Sequence, residues 1–330
     1  MERLGLTLGL VGAPLDQALE ICRDAEGLGY TDVWSAEVGG SDAFAVLAAL
    51  APLTNDVRLG TAIVPVFTRP AALIAMGAAT VQNLSRGRFV LGLGTSSRII
   101  VERWMAQDFE RPLSTLADAV AGVREILSGK KVDLDGQMPA HGFRLEMGVE
   151  SPPIYIAALG PKACRLAGRI ADGVIFFLKT PAGVRDSLEH VRAGALEAGR
   201  DPDELDVVAR IPVAVDEDPD LYRFMSQRLI TNYAMVDVYN RSLAAQGFAD
   251  EVAAIAKAWG EGDRRGASAG VSDEMIGALQ IHGDPDACRS RLREFRDAGI
   301  KTPVLFPFSL AGDGAEITKN VWRVVEVMAP

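Results

Sequence analysis

Short β-rich runs alternate with helical patterns along nearly the whole chain, and this alternation limits the fold more than any other feature. Apolar runs at residues 4–10, 31–35, 58–64, 89–94, 154–157, 173–177, 205–215 and 304–306 read as strands. Helical spacing covers 15–28, 43–53, 70–84, 116–127, 162–170, 184–198 and 285–298, and a last helix is expected over 316–328. Strands separated by helices need crossover connections, which makes the sheet parallel. Eight such strands close a (β/α)₈ barrel, and the main rival is a doubly wound open sheet. The runs are apolar on both faces, as a sheet covered by helices requires.

Two stretches interrupt the repeat. Residues near 131–147 read as a hairpin, and 216–281 is long, mostly helical and rich in charge. Both are expected as insertions in one barrel domain spanning 1–330, where they would cover the active-site mouth or make a subunit contact. The formal charge, 34 − 44 = −10, gives no whole-chain attraction to nucleic acid or an anionic membrane. No apolar run approaches the ~18 residues of a membrane span. The opening segment reads as the first strand and not as a signal peptide, so the expected location is cytoplasmic. Three cysteines and three histidines, none at ligand spacing, exclude a disulfide framework and a structural zinc site.

In such a barrel the chemistry sits at the carboxyl ends of the strands. The second strand ends at Trp34, Ser35 and Glu37; Trp34 reads more readily as core than as a platform for a ligand, and Glu37 as either a surface or a site carboxylate. The third ends at Ala62, Ile63, Val64 and Pro65, and the fourth at Gly94, Thr95 and Ser96. After the fifth come Ala158, Leu159, Gly160, Pro161 and Lys162, where a glycine turn and a proline at the first helical position aim backbone amides at one spot favourable to an anion. Gly92-Leu-Gly-Thr-Ser96 lacks the third glycine of a dinucleotide fingerprint. The arginines at 86 and 88 fall at the amino end of the fourth strand, the face that serves stability. No nucleophile–histidine pair, paired carboxylates or metal-ligand set appears at these ends. A mouth with so few charges suggests an apolar pocket whose chemistry belongs to an organic cofactor.

The run Gly60-Thr-Ala-Ile-Val-Pro-Val-Phe-Thr-Arg-Pro70, followed by Ala79-Thr-Val-Gln-Asn-Leu-Ser-Arg-Gly-Arg-Phe-Val-Leu-Gly-Leu-Gly94, resembles the signature of the bacterial luciferase-like monooxygenase superfamily. Tyr30-Thr-Asp-Val-Trp-Ser-Ala-Glu37, Ala157-Ala-Leu-Gly-Pro-Lys162, Ala171-Asp-Gly173 and His282-Gly-Asp-Pro285 match further stretches, so the resemblance covers nearly the whole chain. Thr95-Ser-Ser97 with Val101-Glu-Arg-Trp104 is most similar to the branch that uses coenzyme F420.

The resemblance implies a (β/α)₈ barrel that binds F420 or, alternatively, reduced FMN at the strand carboxyl ends. It implies a bulge in the third strand (Ala62, Ile63, Val64, Pro65) with a non-prolyl cis peptide at Ala62–Ile63 behind the ring. The coenzyme phosphate would lie on Ala158, Leu159, Gly160, Pro161 and Lys162, and Gly94, Thr95 and Ser96 would flank the ring or tail. Glu37 and Trp34 are the residues it offers as catalytic. The expected partner is a small organic molecule, with a homodimer admitted because family members are often dimers.

The sequence departs from the family at two points. Val38 stands where many members carry a histidine after the acid, and Ser97 where the sugar-phosphate dehydrogenases carry a glutamate. Sugar-phosphate oxidation is therefore not carried over, and no substrate is named. Three readings stay open: an F420-dependent oxidoreductase moving a hydride, an FMN-dependent monooxygenase served by a separate reductase, and a flavin-binding protein without catalysis.

Overall fold

The computed structural model describes residues 2–8, 14–308 and 314–330. Eight parallel strands form the barrel: β1 (Gly5–Thr7), β2 (Asp32–Ser35), β3 (Arg58–Thr61), β4 (Phe89–Gly94), β5 (Ile154–Ala157), β6 (Gly173–Phe177), β7 (Asp206–Val215) and β8 (Thr302–Pro307). Each pairs with the next, and β8 returns to β1 with Gly5 opposite Val304, so the sheet closes. The outer ring is α1 (Leu15–Gly27), α2 (Ala43–Leu50), α3 (Ala71–Leu84), α4 (Pro112–Leu127), α5 (Pro161–Ile170), α6 (Pro181–Glu197), α7 (Pro285–Asp297) and α8 (Gly314–Val327). Gly9 and Leu10, the expected end of the first strand, lie outside the described residues.

Three local departures from the sequence reading have physical causes. The expected third strand, 58–64, is broken: pairing stops at Thr61 and resumes at Val64–Pro65, which pairs with β4. Between them the Ala62–Ile63 peptide is cis. Helix α4 begins at Pro112, earlier than the apolar stripe suggests, because proline suits the first turn where an N–H is dispensable. The large insertion also contributes a strand, Ile281–Gly283, which takes the edge of β7 from Val213 to Val215, beyond the point where β6 stops pairing at Arg210. The first insertion is the expected hairpin, Val132–Leu134 against Ala140–Phe143.

Side chains fill the barrel in layers. The floor is polar. Arg58 holds Asp32 at 2.6 Å and Asp206 at 3.1 Å, and the Tyr155 hydroxyl donates to Asp206 at 2.9 Å. Burial opposes the Arg58 charge, but Asp32, Tyr155 and Asp206 outweigh it, so its pKa is raised. An open cavity of about 620 Å³ lies beneath, lined by Glu2, Arg3, Asp206, Arg296 and Lys301. It faces the amino ends of the strands, the end of such a barrel that serves stability rather than chemistry.

Above the floor, Trp34, Val90, Ile175, Val208 and Val304 form an apolar layer. Gly60 makes room for the indole: a Cβ there would fall inside the Trp34 ring. Gly92 is required in the same way, since its Cβ would collide with the carbonyl oxygen of Thr61. The Thr61 hydroxyl bonds the Gly92 N–H at 2.8 Å and carbonyl at 2.9 Å, so a side chain completes the ladder where the bulge begins.

The insertion helices Pro219–Ala234, Asp237–Leu243, Ala249–Gly260, Arg264–Ala269 and Asp273–Leu279 have a small core of their own. Tyr222, Ile230, Leu243, Phe248, Ile255 and Met275 join Phe177 of β6 and Phe306 of β8 in it, which seats the insertion on the carboxyl end of the barrel. Gln246 pins it there by accepting from the Thr180 N–H at 2.7 Å and donating to the Leu178 carbonyl at 3.2 Å. No helix among the described residues is long and apolar enough to cross a membrane.

Candidate active site

The barrel mouth gathers most of the expected residues. Ala62 and Ile63 form the bulge, tied to the β2 end by the Ala62 N–H donating to the Ser35 carbonyl at 2.6 Å and the Glu37 N–H donating to the Ile63 carbonyl at 3.2 Å. Ile63 lies over Gly94, whose Cβ would come within 2.8 Å of its side chain. Thr95 and Ser96 follow as a half-buried turn, with Ser96 in the left-handed region at φ 58.

Three of the expected residues are buried. Val64 is fully buried in the layer between sheet and helices, so it supports the bulge and does not line the mouth. Pro65 is also buried, paired with Gly94. Trp34, expected as a catalytic residue, has no exposed surface: the ring packs below the mouth, with its indole N–H unpartnered among the described residues.

The β5–α5 turn keeps part of the expected anion cradle. The Ala158 N–H already donates to the Ile175 carbonyl, and Pro161 has no N–H, so neither can supply a donor. Leu159, Gly160 and Lys162 remain. No side chain caps α5, whereas Thr180 caps α6 and Asp284 caps α7. Gly160 has φ −104 and ψ 167, open to any residue, and a Cβ there would meet nothing within 4 Å. Space outside the turn is thus kept clear where the helix dipole favours negative charge. Lys179, 7 % exposed, donates to the Leu159 carbonyl at 2.9 Å and brings a cation beside the turn. Burial lowers its pKa, opposed by Cys164 and Asp186.

Glu37 reaches the mouth, but its carboxylate is occupied. Arg69 donates to both oxygens and also pairs with Asp42. The mouth is therefore more charged than its sequence suggests. Arg210 of β7 adds to this. Its guanidinium lies 4.9 Å from the Phe306 ring and 5.4 Å from that of Phe177, with Tyr233 and Tyr239 alongside. Burial lowers its pKa and the two tyrosines oppose that, while the group stays cationic at any ordinary pH. The sequence carried one signal for it: Arg210 is one of only two charges, with Asp206, in the otherwise apolar run 205–215, both at the parity that faces inward.

A parallel barrel with an uncapped helix start after β5 and a bulged third strand at its mouth can now be compared with known proteins. Residues 3–302 match the family model described as luciferase-like monooxygenase. The chain belongs to that family. A 5,10-methylenetetrahydromethanopterin reductase of Methanolobus tindarius is 33% identical over 89% of this chain and 92% of its own. A putative coenzyme F420-dependent oxidoreductase of Mycobacterium tuberculosis is 29% identical over 92% of this chain and 94% of its own. Among solved structures, the coenzyme F420-dependent tetrahydromethanopterin reductase from Methanopyrus kandleri superposes with a TM-score of 0.81, at 23% identity, covering 99% of this chain and 97% of that one. The barrel expected from the strand count is therefore the fold of the family.

Proposed function

We propose that the protein is a coenzyme F420-dependent oxidoreductase that acts as a reductase on a small organic substrate with a polarised C=N or C=C bond. The residues present fit the coenzyme: the uncapped amides of Leu159, Gly160 and Lys162 would hold phosphate, and Ala62, Ile63, Gly94, Thr95 and Ser96 would border the ring. When bound, the coenzyme supplies a hydride carrier. Relatives named for F420 and for pterin reduction support the same reading.

The observation that carries the direction is the pairing of Glu37 with Arg69 at 3.1 Å. Oxidising an alcohol calls for a base to take the hydroxyl proton, worth about 10²–10⁴-fold. The one carboxylate at the end of β2 is committed to Arg69, and the positions where relatives keep other such groups read Val38 and Ser97. Reduction of a polarised double bond asks less, since water can deliver the proton. The chain's own residues bind and orient the reactants, and the insertion helices over β6 and β8 shield them from water.

Titrating the protein with F420 and with FMN, followed by fluorescence, tests the coenzyme. Tight FMN binding without F420 binding would move the reading to the monooxygenase alternative. Turnover of enones and imines, set against alcohols run in reverse, tests the direction. Faster alcohol oxidation would overturn it.

A further inference from the structure

Among the described residues, Arg210 lacks the carboxylate partner that Arg58 and Arg69 have. Arg58 holds Asp206 and Arg69 holds Glu37, each at 3.1 Å. Arg210 has two neutral acceptors: the Ala62 carbonyl, 3.3 Å from Nη1, and the Thr7 hydroxyl, 3.5 Å from Nε. No carboxylate of the described residues pairs with it; its electrostatic neighbours are Tyr233 and Tyr239. The chain has 44 acidic residues against 34 basic ones, so a missing carboxylate here is not a shortage of acids.

The surroundings make this a built site. Register places Arg210 opposite Phe177 on β6 and Val304 on β8. Tyr233 stands 4.9 Å from the Phe177 ring and 4.8 Å from that of Tyr239. The aromatic walls offset part of the cost of an unpaired cation through ring-face attraction. They do not use the donors on Nη2, which no described residue accepts. A planar fork of donors matches a carboxylate, and pairing away from bulk water strengthens such hydrogen bonds. A role limited to clamping the Ala62 carbonyl needs a single donor and explains neither the unused donors on Nη2 nor the tyrosines.

The geometry points to Arg210, with Tyr233 and Tyr239, as the subsite that grips a carboxylate on the substrate, whose flat apolar body lies among Phe177, Phe306 and the bulge at Ala62. The substrate class is a small unsaturated organic acid. The reducible half of this inference rests on the reductase reading; the anion half does not.

Calorimetric titration of the protein with cinnamate and with its neutral isostere cinnamamide tests the anion half without turnover. Wild type should bind cinnamate at least about tenfold more tightly, as expected for charge-assisted pairing. Arg210→Met should erase that preference. Tyr233→Phe and Tyr239→Phe should each reduce it a few-fold, which preserves the test if Arg210→Met does not fold. Equal binding of acid and amide by wild type, or a preference retained in Arg210→Met, would overturn the proposal. If wild type binds no F420 yet prefers cinnamate, the coenzyme reading fails and the anion subsite stands.

Discussion

Arg69 donates three hydrogen bonds to Glu37, from Nη2 to both carboxylate oxygens at 3.1 Å and from Nε to Oε1 at 3.3 Å. The two residues lie 32 positions apart, Glu37 just past β2 and Arg69 just before α3. With 16% and 22% of their side chains exposed, they form a partly desolvated strut across the mouth. Asp42, the N-cap of α2, shares the same guanidinium. The carboxylate at the catalytic end is thus built into a charge network that positions the loop after β2.

Glu37→Gln should therefore act on position and not on proton transfer. The amide keeps one acceptor for Arg69 and loses the charge, so affinity for F420 should fall several-fold. The shape of the kcat–pH profile should stay as in wild type. An acidic limb that disappears in Glu37→Gln would identify Glu37 as the general base and reverse the direction of reaction proposed above.

Gly160→Val separates binding from folding. The backbone there is extended and the neighbourhood empty, so thermal stability should hold within about 2 °C, as for an unstrained surface change. F420 affinity should drop about tenfold or more, read by fluorescence titration. An unchanged affinity would place the phosphate elsewhere.

Gly60→Ala should do the reverse. Its methyl would overlap the Trp34 ring, which is fully buried and has no room to move. Overpacking of this kind costs about 1–3 kcal/mol. The midpoint of urea unfolding should shift down accordingly, and a variant as stable as wild type would mean that the indole can be displaced.

Alkaline pH should weaken the fold. Burial pushes the thiols of Cys164 and Cys288 up to about 11 and raises Cys22 as well. Burial raises Tyr30, Tyr222 and Tyr239 too. These groups hold their protons more tightly folded than unfolded, where thiols titrate near 8.5 and phenols near 10. Their contribution is complete below about pH 8 and is lost as pH rises through about 9–11. Urea midpoints measured from pH 7 to 11 should be flat at first and then fall. Constant stability to pH 11 would contradict the burial of these groups.

The barrel is legible in local sequence. Helix and strand periods are written in neighbouring residues, so eight strands, their helices, the hairpin near 131–147 and the glycine-proline turn into α5 are all legible without coordinates. The position of the cis peptide at Ala62–Ile63 is implied by the family resemblance. What only the tertiary structure decided depends on closure. The barrel brings Arg210 to the carbonyl of Ala62, 148 positions away, and the insertion brings Tyr233 and Tyr239 beside it. It buries Trp34 under the mouth, ties Glu37 to Arg69, and uses up the Ala158 amide on Ile175. Each outcome turns on which strand lies next to which and which side chain faces inward. Those are long-range relationships set by the register of the closed sheet, and no local window of sequence contains them.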